Sequence, residues 1–262
     1  MKPHIRLAVA VLVVGTLAAP AGAGLVMVYE QESFGRPGTE TATMYLGKDR
    51  MRTETKGGGG DHVFIFRGDR ELFWMVDTKK RSYVEISRED LKKLKAMMDK
   101  AMKKYEEQMK NLPPEQRQMV ESMMKDKIPQ KPPQTRYKKV DSGIPVGRWT
   151  CDLYDGYQGQ EKIEEVWTAE AGQFDLHPEE LQVFDEVRGF MEEFSKQPLP
   201  FFRIGKEQGG KGSDFSGVPV RMISYSEGKK QERMELLDVQ RKDVDPSLFE
   251  LPEGLKREAI PF

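Results

Sequence analysis

Residues 63–86 read VFIFRGDRELFWMVDTKKRSYVEI. Three short runs rich in β-branched and aromatic side chains, Val63 to Phe66, Leu72 to Val76 and Tyr83 to Ile86, are separated by the turn formers Gly68-Asp69 and Asp77-Thr78-Lys79. Runs of this length at this spacing predict an antiparallel meander. In Leu72-Phe73-Trp74-Met75-Val76 both alternating sets of side chains are apolar. Successive strand residues point to opposite faces, so this strand requires a cover on each side.

Toward the N-terminus the same texture continues. Val26 and Val28, then Met44 and Leu46, are set off by Gly35 to Gly38, Gly47-Lys48-Asp49 and the Gly57 to Gly60 run. Toward the C-terminus the period changes. Leu91, Leu94, Met98, Met102, Tyr105, Met109 and Leu112 recur at three- and four-residue steps among lysines and glutamates, which predicts a long amphipathic helix. Pro113-Pro114 interrupts it, and Pro114-Glu115-Gln116 opens a second helix striped by Met119, Val120, Met123 and Met124. The two predict a Met-rich helical hairpin inserted at about 88–127. A methionine stripe serves either as gap-filling core or as an adaptable binding surface.

Strands resume at Thr135 to Val140, Arg148 to Tyr154 and Lys162 to Thr168. A further helix is predicted from His177-Pro178-Glu179-Glu180, with proline and acids suited to a first turn and an apolar stripe of Leu181, Phe184, Val187, Met191 and Phe194. Two more strands, Pro219 to Ser226 and Glu232 to Gln240, precede a tail, Leu248 to Gly254. This order predicts an α+β fold, a large antiparallel sheet with helices on one face.

Lys2 and Arg6, the apolar run Leu7 to Leu17 and the small-residue site Ala21-Gly22-Ala23 form the pattern of a cleavable secretory signal, residues 1–23. The apolar run is shorter than the ~20 residues of a bilayer span. The expectation is a single periplasmic or secreted domain, residues 24–262, soluble after cleavage and with no transmembrane segment. Charged residues make up 32% of the chain, yet the net charge is −1, which gives no electrostatic case for nucleic acid. The one cysteine, Cys151, is either a buried thiol or an intermolecular link, and its strand-like setting favours burial.

Nucleophilic catalysis at a Ser–His or Cys–His pair needs a placed histidine, and after the signal only His62 and His177 remain. No short catalytic motif and no clustered metal ligands are present. Adjacent carboxylates such as Glu164-Glu165 and Glu192-Glu193 point apart on a strand or helix. The expectation is no enzyme, no catalytic residue, no metal and no cofactor.

Several motifs in order carry a resemblance: Leu72-Phe73-Trp74-Met75-Val76-Asp77, Lys80-Arg81-Ser82-Tyr83, Leu112-Pro113-Pro114-Glu115-Gln116-Arg117, Gly147-Arg148-Trp149-Thr150-Cys151-Asp152-Leu153-Tyr154, Val166-Trp167-Thr168, Gly217-Val218-Pro219 and Phe249-Glu250-Leu251-Pro252-Glu253-Gly254. The chain resembles an uncharacterised bacterial family catalogued as domain of unknown function forty-four-twelve. That family is similar in architecture to the periplasmic lipoprotein carriers of LolA and LolB type, whose curved antiparallel sheet forms an unclosed half-barrel with helices over its concave side. The resemblance implies a hydrophobic cavity and binding of a lipid, acyl chain or lipoprotein, with the hairpin as a movable cover. Trp74, Trp149, Trp167, Phe184, Met191 and Phe194 are the candidate lining residues. The alternative is a module that docks an envelope protein through the apolar stripe of the hairpin.

Overall fold

Leu25, Leu46, Met51, Phe66, Phe73 and Ile86 stand opposite one another on six neighbouring strands, and all six are buried. This apolar row ties the first half of the chain into one sheet. The computed structural model describes residues 22–35, 37–57, 61–110, 113, 135–174, 176, 178–194 and 215–260. The expected leader lies outside these residues except for Gly22 and Ala23, which open the first strand.

A meander runs through β1 (Gly22–Ser33), β2 (Thr39–Leu46), β3 (Arg50–Lys56), β4 (His62–Arg67), β5 (Leu72–Asp77) and β6 (Ser82–Ser87), followed by α1 (Arg88–Lys110). A second meander comprises β7 (Arg136–Val146), β8 (Trp149–Gln158) and β9 (Glu161–Ala169), then α2 (Pro178–Phe194), β10 (Val218–Ser226) and β11 (Lys229–Val244). Short 3-10 turns lie at Gly68–Arg70, Ala171–Phe174 and Pro246–Phe249, and β12 (Lys256–Glu258) closes the order. β1 pairs with β11 along its whole length, from Gly22 opposite Val244 to Ser33 opposite Glu232, and so joins the two meanders at mid-sheet. The strand order is β12-β6-β5-β4-β3-β2-β1-β11-β10-β9-β8-β7, an unclosed twelve-stranded sheet with β12 and β7 at its edges.

Two features depart from the sequence expectation of an antiparallel sheet covered by a Met-rich helical hairpin and a further helix. The sheet is mixed, because β12 runs parallel to β6. The hairpin is not formed by the described residues: α1 is a single helix that packs against α2 and β6, and the expected second arm, Pro114 to Met124, lies outside them. The periodicity located α1 correctly, but helical periodicity does not name the packing partner. Of the methionines in the expected stripe, Met109 is buried; Met97, which is not part of that stripe, is 64% exposed.

The second face of the β4–β5 strands is closed by the C-terminal tail. Val26, Val63, Ile65, Trp74 and Val76 alternate with the residues of the main core and form a separate cluster with Val244 and Phe249, against which Leu248, Leu251 and Leu255 pack. Two arginines from that face hold the tail backbone. Arg52 donates to the Leu248 carbonyl at 2.8 Å, and Arg67 donates to the Phe249 carbonyl at 3.4 Å and to the Glu250 carboxylate. Asp245 caps the turn by accepting from the Ser247 amide at 2.9 Å.

Candidate functional site

On the helix-covered face, the side chains of β1 to β6 form three parallel rows, each about 7 Å from the next because same-face residues are two apart. The first is the sealed row from Leu25 to Ile86. Leu91 of α1 and Val183, Phe184, Val187 and Phe190 of α2 pack in the same core, and Phe190 meets Phe66 edge-on at 5.8 Å. These four α2 residues recur at three- and four-residue steps, so one stripe faces the sheet. Glu180, on the first turn, receives a two-pronged ion pair from Arg241 of β11, with both bonds at 2.9 Å.

The second row is Met27, Met44, Thr53, Phe64, Met75 and Val84. It is fully buried at Met27, Met44 and Thr53, half-buried at Phe64 and Val84, and 37% exposed at Met75. Phe64 stacks on Phe73 of the first row at 5.7 Å, so the open end is continuous with the core. The hydroxyl of Thr53 is buried and has no hydrogen-bond partner among the described residues. The third row turns polar at Thr55, His62, Asp77 and Ser82 and marks the boundary of the apolar surface.

Beside the first row, on the side away from the second, a pocket of about 410 Å³ opens between the Gly68–Arg70 turn, the start of α1 and the middle of α2. Phe66 and Phe190 line it, with Asp49, Asp69, Glu71, Glu186 and Arg88 around them. Each charge has a partner: Asp49 with Arg50 at 2.9 Å, Asp69 with Arg67 at 2.6 Å, Glu71 with Arg88 at 2.9 Å, and Glu186 with Gln182 at 2.9 Å. Gly68 is required here, since a Cβ at this position would lie 2.6 Å from Glu186 Oε2 and 2.9 Å from the Asp49 carbonyl. Arg67 holds the Asp69 carboxyl below the ordinary aspartate range.

The candidate lining residues divide between the two faces. Trp149, stacked on Phe174 at 5.7 Å, and Phe184 belong to the main core, and half-buried Trp167 packs against it. Trp74 lies in the opposite cluster beneath the tail, where its indole donates to Glu85 Oε2 at 2.9 Å. Met191 and Phe194 fall in the last turns of α2, and their side chains lie outside the described residues. Sequence reasoning did not single out Thr53, Phe64 or Val84. The signal was present in the register: pairing the 63–86 meander as a hairpin ladder puts Phe64, Met75 and Val84 side by side.

No family model matches the chain, that of the family named above included, and no curated protein matches it. Among solved structures, an uncharacterized conserved protein from Thermus thermophilus is similar with a TM-score of 0.46 and 8% identity, over 92% of each chain. PNGF-II gives a TM-score of 0.39 and 7% identity, over 91% of this chain and 31% of that one. A LolA superfamily protein from Nitrosomonas europaea gives a TM-score of 0.29 and 7% identity, over 89% of this chain and 92% of that one. No helix among the described residues is long and apolar enough to cross a membrane.

Proposed function

We propose that this chain is an exported, non-enzymatic binding or carrier protein for an apolar ligand (a lipid, an acyl chain or a lipoprotein) whose hydrocarbon part lies over Phe64, Met75 and Val84. The observation that carries the reading is the gradient along the second row: the side chains stay apolar from Phe64 to Val84 while burial falls to leave Met75 exposed. An apolar surface continuous with the core gains about 25 cal/mol for each Å² that a ligand covers, and the polar third row sets where the hydrocarbon must stop. The leader pattern of residues 1–23 supports export, with residues 24–262 working as one domain.

Titration with an apolar fluorescent probe such as N-phenyl-1-naphthylamine tests this. The wild-type protein should give a saturable rise in emission that a twelve-carbon amphiphile reverses. Met75→Glu places a carboxylate against the hydrocarbon at a position exposed enough to spare the fold, and should weaken probe binding about tenfold or more. Equal affinity in the two proteins would remove the second row from the site.

A further inference from the structure

We infer that the ligand carries a neutral carbonyl group, of an acyl ester or amide, and that the Thr53 hydroxyl donates a hydrogen bond to it. The inference rests on the binding reading above and names the chemistry of the ligand's polar end. Thr53 is 3% exposed, on the same face as Met51 and in register with Met44 on one side and Phe64 on the other. Its Oγ1 is buried without a partner among the described residues. A buried hydroxyl left unsatisfied is destabilising, and such groups in a folded protein call for a specific explanation.

Its neighbours narrow the choice. The residues flanking Thr53 in its row are Met44 and Phe64, and the adjoining first-row residues Met51 and Phe66 are also apolar. The nearby cation on β3, Arg52, points to the opposite face, where it binds Glu54 at 2.7 Å and the tail. Among the described sheet residues that flank Thr53 on this face there is no cation, so an ionised carboxylate placed there would be buried beside apolar groups, which is strongly unfavourable. A neutral carbonyl needs one donor, which Thr53 supplies. Phe64, half-buried and next in the row, is the side chain whose rotation admits the group, and the alkyl chain then runs over Met75 and Val84.

Three probes of closely matched chain length separate the outcomes: methyl dodecanoate, dodecanoate and tridecane, each measured by displacement of the fluorescent probe from wild type, Thr53→Val and Thr53→Ser. Wild type should prefer the ester over the hydrocarbon by about fivefold to tenfold, the factor one neutral hydrogen bond supplies, and should bind dodecanoate no better than tridecane. Thr53→Val should erase the ester preference, leave tridecane affinity unchanged and raise the Tm, because it removes an unsatisfied hydroxyl without opening a cavity. Thr53→Ser should keep the preference. An ester preference that survives in Thr53→Val, or no preference in wild type, would overturn the inference and point to a hydroxyl satisfied by buried water alone. If none of the three probes displaces the dye, the binding reading itself fails, which is a different result.

Discussion

The guanidinium of Arg67, 3% exposed on β4, grips the carboxylate of Glu250, 183 positions later in the chain, while also bonding Asp69 at 2.6 and 2.8 Å. One buried cation therefore joins the first meander to the tail that covers its second face. Arg67→Met should cost about 1.5–3 kcal/mol in urea unfolding, since it removes the charged hydrogen bonds to Asp69, Glu250 and the Phe249 carbonyl, while Glu250 keeps Arg70 at 3.2 Å. It should also speed protease cleavage within residues 245–258. Unchanged stability with a protected tail would mean that Phe249 and its apolar neighbours hold the tail alone.

Arg67 also sets a pH dependence, through Asp69. Arg67 lowers the Asp69 pKa in the folded protein below the ordinary value of about 3.9. As pH falls, the unfolded chain takes up this proton first, so the contribution is complete above about pH 4 and is lost as pH drops through the lowered folded value. The stability gap between wild type and Asp69→Asn should stay level from about pH 7 to 5 and shrink below about pH 4. A gap that widens toward acid would reverse the assignment.

Phe249 is buried against the β4–β5 face and has the Arg50 guanidinium 5.8 Å from its ring centre. Phe249→Ala should destabilise by about 3–5 kcal/mol through lost burial and the cavity left behind. Trp74 shares that cluster, so its fluorescence should also shift to the red. A blue or unchanged spectrum would show that the tail does not shield Trp74.

Cys151 sits in the core at 1% exposure, and burial pushes its thiol up to about 11. At pH 8 the native protein should resist a thiol reagent such as DTNB for as long as it stays folded, and react at once in denaturant. Rapid reaction of the native form would instead favour the intermolecular-link reading of this residue.

Much of this fold was legible where pattern and burial coincide. The 63–86 meander was marked out by its turn residues, its doubly apolar middle strand demanded two covers, and both exist. β3, Arg50–Lys56, was not legible: RMRTETK carries one large apolar residue, and the strand is held by its neighbours and by the tail interactions of Arg52. β12 is three charged or polar residues placed by its parallel pairing with β6, a long-range contact that local sequence does not encode. The candidate site was harder to see for the same reason. Trp74 and Met75 are neighbours in sequence but face opposite sides, and only the register assigns Trp74 to the tail cluster and Met75 to the open row.

The most direct test of the central claim is native mass spectrometry of the protein taken from cells, with lipid extraction of the same sample, for wild type beside Met75→Glu. The account predicts a reproducible added mass on wild type that extracts as an acyl-bearing lipid, and bare protein for Met75→Glu. Bare wild-type protein, or an equal lipid load on both, would contradict it.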